Sequence, residues 1–140
     1  MTEQSIIRVL TVLKHPLFRE GIATVINNQA DMLLVAEAAS ASEAYEHFYS
    51  WRPDVTLMDL RLPDSDGIEA MNAIRARQAN ARVVLVCNFE GDLEIQHALD
   101  AGASGWILKT MHPKQITAAI RDACAAEKNL PLLSADSSSR

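Results

Sequence analysis

Asp59 closes the otherwise apolar run VTLMD, so its carboxylate is expected at the end of a buried segment instead of in a solvated loop, and it is the obvious reactive group of the chain. Lys109 closes a second apolar run, GWILK, and supplies a cation. Cys87 closes a third, VVLVC. A thiol there is either apolar filler or a nucleophile or redox sensor. The second role needs a base or cation nearby to favour the thiolate, and Lys109 can be that cation. His15 reads as a local structural residue, and His97 and His112 lack a Cys or Asp partner in any zinc-binding pattern. Asp64 and Asp66 follow in LPDSDG, where turn formation before Gly67 accounts for them and leaves at most a weak outer charge for a cation.

These groups can meet only if the fold gathers the ends of their runs. Apolar, β-rich segments recur at Ile6 to Leu13, Met32 to Ala36, Val55 to Met58, Val83 to Cys87 and Gly105 to Leu108. They are short and nearly continuous in hydrophobicity, as parallel strands are when helices cover both faces of their sheet. Helical segments lie between them. The first opens at Pro16, a tolerated first helical residue, with Leu17, Ile22, Val25 and Ile26 on one side. The second is expected to take Ser42 as its cap before Glu43. The third runs from about Gly67 with Ile68, Met71 and Ile74 at helical spacing. The fourth spans about Asp92 to Ala101 and ends against Gly102, and the fifth starts near Pro113 and buries Ile116, Ile120 and Cys124 or their neighbours.

This alternation implies right-handed crossovers and an α/β fold: a doubly wound, five-stranded parallel sheet of order 2-1-3-4-5 with five helices. In such a sheet the functional crevice lies beyond the carboxyl ends of the strands, at the switch point between the first and third. That rule collects Leu13, Lys14 and His15 from the first strand, Asp59 from the third, Cys87 and Asn88 from the fourth and Lys109 from the fifth.

The 140 residues, 49% hydrophobic and 22% charged, fit one globular domain. A domain over 1–128 and a serine-rich tail or linker over 129–140, toward an output domain outside this chain, are expected. The N-terminus shows no signal-peptide pattern and no apolar run is long enough for a membrane span, which points to the cytoplasm. Cys87 and Cys124 sit among apolar residues and suit reduced, buried thiols. A net charge of -5 without a Lys/Arg cluster argues against this segment gripping nucleic acid by itself.

The segments RVLTVLKHPLFREGI, LMDLRLPDSDGIEAM and AGASGWILKT together resemble the receiver domain of bacterial response regulators, particularly the subgroup attached to LuxR-type DNA-binding domains. The resemblance runs without a gap over about residues 6 to 128 and implies a flavodoxin-like fold. It further implies that Asp59 matches the phosphoacceptor, attacking a phosphoryl donor while Mg²⁺ neutralises charge, and that Lys109 matches the lysine paired with the phosphoryl group. The departures are as informative. Where the family has two adjacent acidic residues this chain has Leu13 and Lys14. Mg²⁺ is usually held by more than one carboxylate plus waters, so its binding here is expected to be weak or absent. If Lys14 points into the crevice, its ammonium can replace the cation. At about 4 Å and an effective dielectric of about 20 the attraction to Asp59 is on the order of 4 kcal/mol before desolvation is subtracted. The alternative is that Lys14 snorkels to solvent. Cys87 stands where the family carries a Ser or Thr hydroxyl, and a thiol is a weaker donor. Trp106 stands at the usual switch Tyr or Phe, either fixed outward at a partner surface or packed inward over Cys87. Thr110 follows Lys109 where the family often has proline, so no cis peptide is implied there.

The reading that follows is a signalling module of a two-component system and not an enzyme. It is a degenerate receiver acting by association through the face of helix 4, strand 5 and helix 5, as a homodimer or with another regulatory protein, with Trp106, Ile95 and Ile116 as candidate anchors, the two isoleucines being equally open to core packing. A sensor kinase is a further partner, and DNA is reached only through a domain absent from this chain. The alternative is a working phosphoacceptor at Asp59 with weakened metal dependence. A phosphatase using an aspartyl phosphate typically carries a second aspartate two residues after the nucleophile, where this chain has Arg61. A flavin module needs a loop of amides for phosphate after the first strand, where this chain has KHPLF.

Overall fold

The computed structural model describes residues 5–88 and 93–138, with side chains described for 5–88 and 95–125. Strands and helices alternate as β1 (Ile7–Val12), α1 (Pro16–Asn27), β2 (Met32–Ala38), α2 (Ala41–Trp51), β3 (Val55–Asp59), α3 (Gly67–Arg77), β4 (Val83–Cys87), α4 (Leu93–Asp100), β5 (Gly105–Leu108) and α5 (Pro113–Ser138). The strands form one parallel sheet in the order β2-β1-β3-β4-β5, the doubly wound arrangement expected from the sequence.

Alternate strand residues feed two cores, one on each face, which is why the strand sequences lack a polar stripe. Val12, Met58 and Leu85 meet Phe48 of α2, Met71 and Ile74 of α3 and Ile95 of α4 on one face. Leu13, Leu57, Val84 and Ile107 meet Ile22 and Ile26 of α1 and Ile116 and Ile120 of α5 on the other. Cys87 belongs to the first core and Cys124 packs against the second, so the sheet separates the two cysteines, which share no disulfide.

The helix ends correct several sequence expectations. Leu17 is 84% exposed. It precedes the buried Ile22 by five residues, about 140° around the helix, and so lies off the core face. The cap of α2 is Ser40 and not Ser42: Ser40 Oγ accepts from the Glu43 amide at 3.2 Å, while Glu43 Oε1 accepts from the Ala39 amide at 2.8 Å. The Ser-x-x-Glu spacing that favours this exchange starts at Ser40 and leaves Ser42 in the first turn. The expected start of α4 at Asp92 lies outside the described residues; the helix is described from Leu93 and is followed by Gly102 at φ +112°. The backbone of α5 is helical from Pro113 through Ser138. No helix among the described residues is long and apolar enough to cross a membrane.

Candidate functional site

Asp59 is the last residue of β3, 2% exposed, at the carboxyl end of the central strand. Both carboxylate oxygens are engaged. Oδ2 accepts a hydrogen bond from the backbone N–H of Lys14 at 2.9 Å, and Lys109 Nζ lies 3.3 Å from Oδ1. The Lys109 amide donates in turn to the Cys87 carbonyl at 3.0 Å, fixing the end of β5 to the end of β4. The ammonium also sits 5.6 Å from the centre of the Phe18 ring on α1, within the range of a cation–π contact. A cleft of about 130 Å³ opens over this group, lined by Lys14, His15, Asp59, Cys87, Asn88 and Lys109, with Arg61 at its side. The topological rule therefore brings together every crevice residue expected from sequence except Leu13.

Leu13 is completely buried in the core between the sheet, α1 and α5. Lys14 lines the cleft, but it reaches Asp59 through its main chain; among the described residues no ion pair joins its ammonium to that carboxylate. The cation beside Asp59 is Lys109, in place of the Lys14 ammonium considered from sequence. The donor set does not fit Mg²⁺, which asks for six oxygens in near-octahedral order and usually more than one carboxylate. Here one carboxylate faces two lysines, and among the described residues no group of three His, Cys, Asp or Glu side chains is placed to hold a metal ion.

The loop after Asp59 is organised by its own acids. Asp66 caps α3, its carboxylate accepting from the Glu69 amide at 2.7 Å. Asp64 reaches across to α2, accepting from the amides of Ala41 at 2.8 Å and Ser42 at 3.1 Å. Those backbone bonds, that of Ala41 foremost, hold its carboxyl below the usual range. Gly67 allows α3 to start against the strand end: a Cβ there would overlap the Asp59 carbonyl oxygen. His112 precedes α5 and accepts from the Lys114 amide through Nδ1 at 3.1 Å, a helix-capping role. His15 lies at the cap position of α1 without a side-chain bond to the helix, and His97 is exposed on α4.

Trp106 packs against the core that contains Cys87, Ile95 and Ala98 and stays partly exposed. Ile95 and Ile116 are 8% and 3% exposed and belong to opposite cores, so packing claims both and neither is a surface anchor. Sequence reasoning missed Phe18, whose ring flanks Lys109, and Arg19, whose Nη1 donates to the Leu13 carbonyl at 2.7 Å and steadies the turn between β1 and α1. Neither residue type announces such a role.

A five-stranded sheet of this order, with an aspartate at the end of β3 and a lysine at the end of β5, defines the class, and residues 9–121 match the response regulator receiver domain; the chain belongs to that family. More particularly, it is 38% identical over 121 residues to the response regulator protein VraR of Staphylococcus aureus, a match covering 86% of this chain and 58% of that protein. It thus spans little more than half the length of the curated relatives it matches. Among solved structures it is similar to a two-component response regulator of the LuxR family from Aurantimonas, with a TM-score of 0.83, 37% identity and 87% of each chain covered. It is also similar to the response regulator domain of Thermotoga maritima CheB, with a TM-score of 0.79 and 31% identity over 86% of this chain and 97% of that one.

Proposed function

We propose that this receiver signals by protein–protein association and that its Asp59 is not driven by Mg²⁺-dependent phosphorylation. The observation that carries the reading is the double engagement of Asp59, with Lys109 at 3.3 Å from one oxygen and the Lys14 amide at 2.9 Å from the other. In this arrangement the charge that a metal ion would balance is already balanced by the protein, and a lysine stands where a second acidic ligand belongs. A lysine held beside a buried carboxylate favours one conformer, and a signal can shift a two-state domain only by stabilising one state more than the other.

Association is assigned to the face of α4, β5 and α5. Trp106, partly exposed at the sheet edge, and Leu99, 37% exposed on α4, are its apolar elements once Ile95 and Ile116 are placed in the cores. The occupant is a second copy or another regulatory protein; a sensor kinase is the further partner, and DNA is contacted by an output domain that is not in this chain. A second reading, a working phosphoacceptor with weakened metal dependence, is favoured by the same Asp59–Lys109 contact beneath an accessible cleft. Sedimentation velocity separates the two. Under the first reading the association state is the same with and without acetyl phosphate and Mg²⁺, and Trp106→Ala weakens it. A state that changes on adding the phosphoryl donor, and no longer does so in Asp59→Asn, supports the second and overturns the first.

A further inference from the structure

A second charged feature, apart from the Asp59 crevice, lies at the other end of the sheet. There the ends of α2 and α3 and the loops leading into β3 and β4 enclose a cleft of about 330 Å³. Arg52, Arg77 and Arg82 line it, against the single carboxylate of Asp54. This concentration of positive charge stands in a chain whose net charge is -5.

Among the described residues no ion pair joins Asp54 to Arg52 or Arg77. Asp54 Oδ2 accepts from the Arg8 backbone amide at 2.9 Å, and Arg82 Nη1 bonds the Asp54 main-chain carbonyl at 3.3 Å. Arg77 stacks over the Tyr49 ring, 4.7 Å from its centre, which leaves its N–H edge for another partner. Among the described residues neither Arg52 nor Arg77 has a hydrogen-bond or ion-pair acceptor for its guanidinium. Compensation of helix dipoles explains only part of the set: Arg77 lies in the last turn of α3 and Arg52 at the C-cap of α2. The last turn of α3 also contains Arg75, which bonds the Ala81 carbonyl at 2.7 Å, and Arg82 precedes a strand. Arg52 is the one non-glycine residue with positive φ among those described, +48°, at the end of α2 where glycine is the unstrained choice. Its carbonyl is held there by Arg8 Nη1 at 2.7 Å.

We infer that this cleft binds a small phosphate-bearing molecule. Guanidinium forks match phosphate oxygens in pairs, and the forks of Arg52 and Arg77 at one cleft suit a polyanionic group better than a lone carboxylate. Gln78 Nε2 donates to Asn80 Oδ1 at 2.9 Å, which leaves the Asn80 amide nitrogen as a further neutral donor at the rim.

The test uses the whole 140-residue chain and inorganic pyrophosphate as probe, at constant ionic strength, followed by amide NMR shifts and by calorimetry. Saturable shifts confined to residues 48–54 and 77–82, undiminished in Asp59→Asn, are expected. Arg77→Gln and Arg52→Gly should each weaken binding about tenfold, the scale of a lost charge-assisted contact. Arg52→Gly also guards against misfolding as an explanation, because glycine takes the positive φ without strain. Absence of saturable shifts, shifts centred on residues 14, 59, 87 and 109, or an equal response to sulfate that neither variant alters would overturn the assignment.

Discussion

At the scale of single residues, the two positions that lack the family's acids are not equivalent. Leu13 is a core residue with no exposed surface, while Lys14 lines the cleft and offers its amide to Asp59. Leu13→Asp would bury a carboxylate among aliphatic side chains of the sheet, α1 and α5. It should cost roughly 3 to 5 kcal/mol in urea unfolding, the range for an uncompensated buried charge. Lys14→Asp keeps the amide and adds a second carboxylate to the cleft. It should fold with near-normal stability and gain a thermal shift on adding Mg²⁺; equal destabilisation by the two substitutions would show that Lys14 is a packing residue after all. The asymmetry was not legible in the sequence, where adjacent residues at a strand end look alike until their faces are known. Asp59, Cys87 and Lys109 were legible because each ends an apolar run. The Lys14 contact was not, since a main-chain donor carries no mark of residue type.

At the scale of elements, the reactive carboxylate depends on how α3 begins. The Gly67 amide donates to the Leu60 carbonyl at 2.6 Å, and the absence of a side chain lets the helix start abut the end of β3. Gly67→Ala forces the added methyl against main chain, which cannot rotate away, and should destabilise by about 1 to 3 kcal/mol, the usual range for overpacking. Chemical shifts of residues 59 and 60 should move with it. A neutral substitution with unmoved shifts would mean that α3 can slide outward freely. The alternation of strands and helices was readable from hydrophobic runs and breaker residues. The link from Asp64 to the start of α2 was not, because its partner Ala41 lies 23 residues earlier and only the folded loop brings them together. Ser42 invites the cap role because it stands next to Glu43, whereas the reciprocal bonds require Ser40, three residues before Glu43.

At the scale of the whole molecule, α5 is tied back to the start of β2 by Arg121, whose Nε and Nη2 reach Asp31 at 2.8 and 2.9 Å while Nη2 also donates to Gln29. The hydrogen bond from Arg121, foremost, holds the Asp31 carboxyl below its ordinary value of 3.8. A carboxylate with a lowered folded pKa contributes its stability above the unfolded pKa and loses it as the pH falls through the folded one. Acid unfolding below about pH 4 should therefore be shallower in Asp31→Asn than in the parent. The loss at neutral pH should be on the order of 1 kcal/mol or less, since the pair is part-exposed. Unchanged acid profiles in Asp31→Asn would remove this tie from the account. Helical spacing alone could not say that Ile95 and Ile116 belong to opposite cores and not to a docking face, because a face turned to the sheet and a face turned to a partner have the same periodicity. The most direct test of the central claim is intact-mass analysis after incubation with acetyl phosphate and Mg²⁺. The unmodified mass for the parent, with an added phosphoryl group appearing in Lys14→Asp and absent from Lys14→Asp/Asp59→Asn, is the expected result; a Mg²⁺-dependent phosphoryl adduct on the parent, absent from Asp59→Asn, would contradict it.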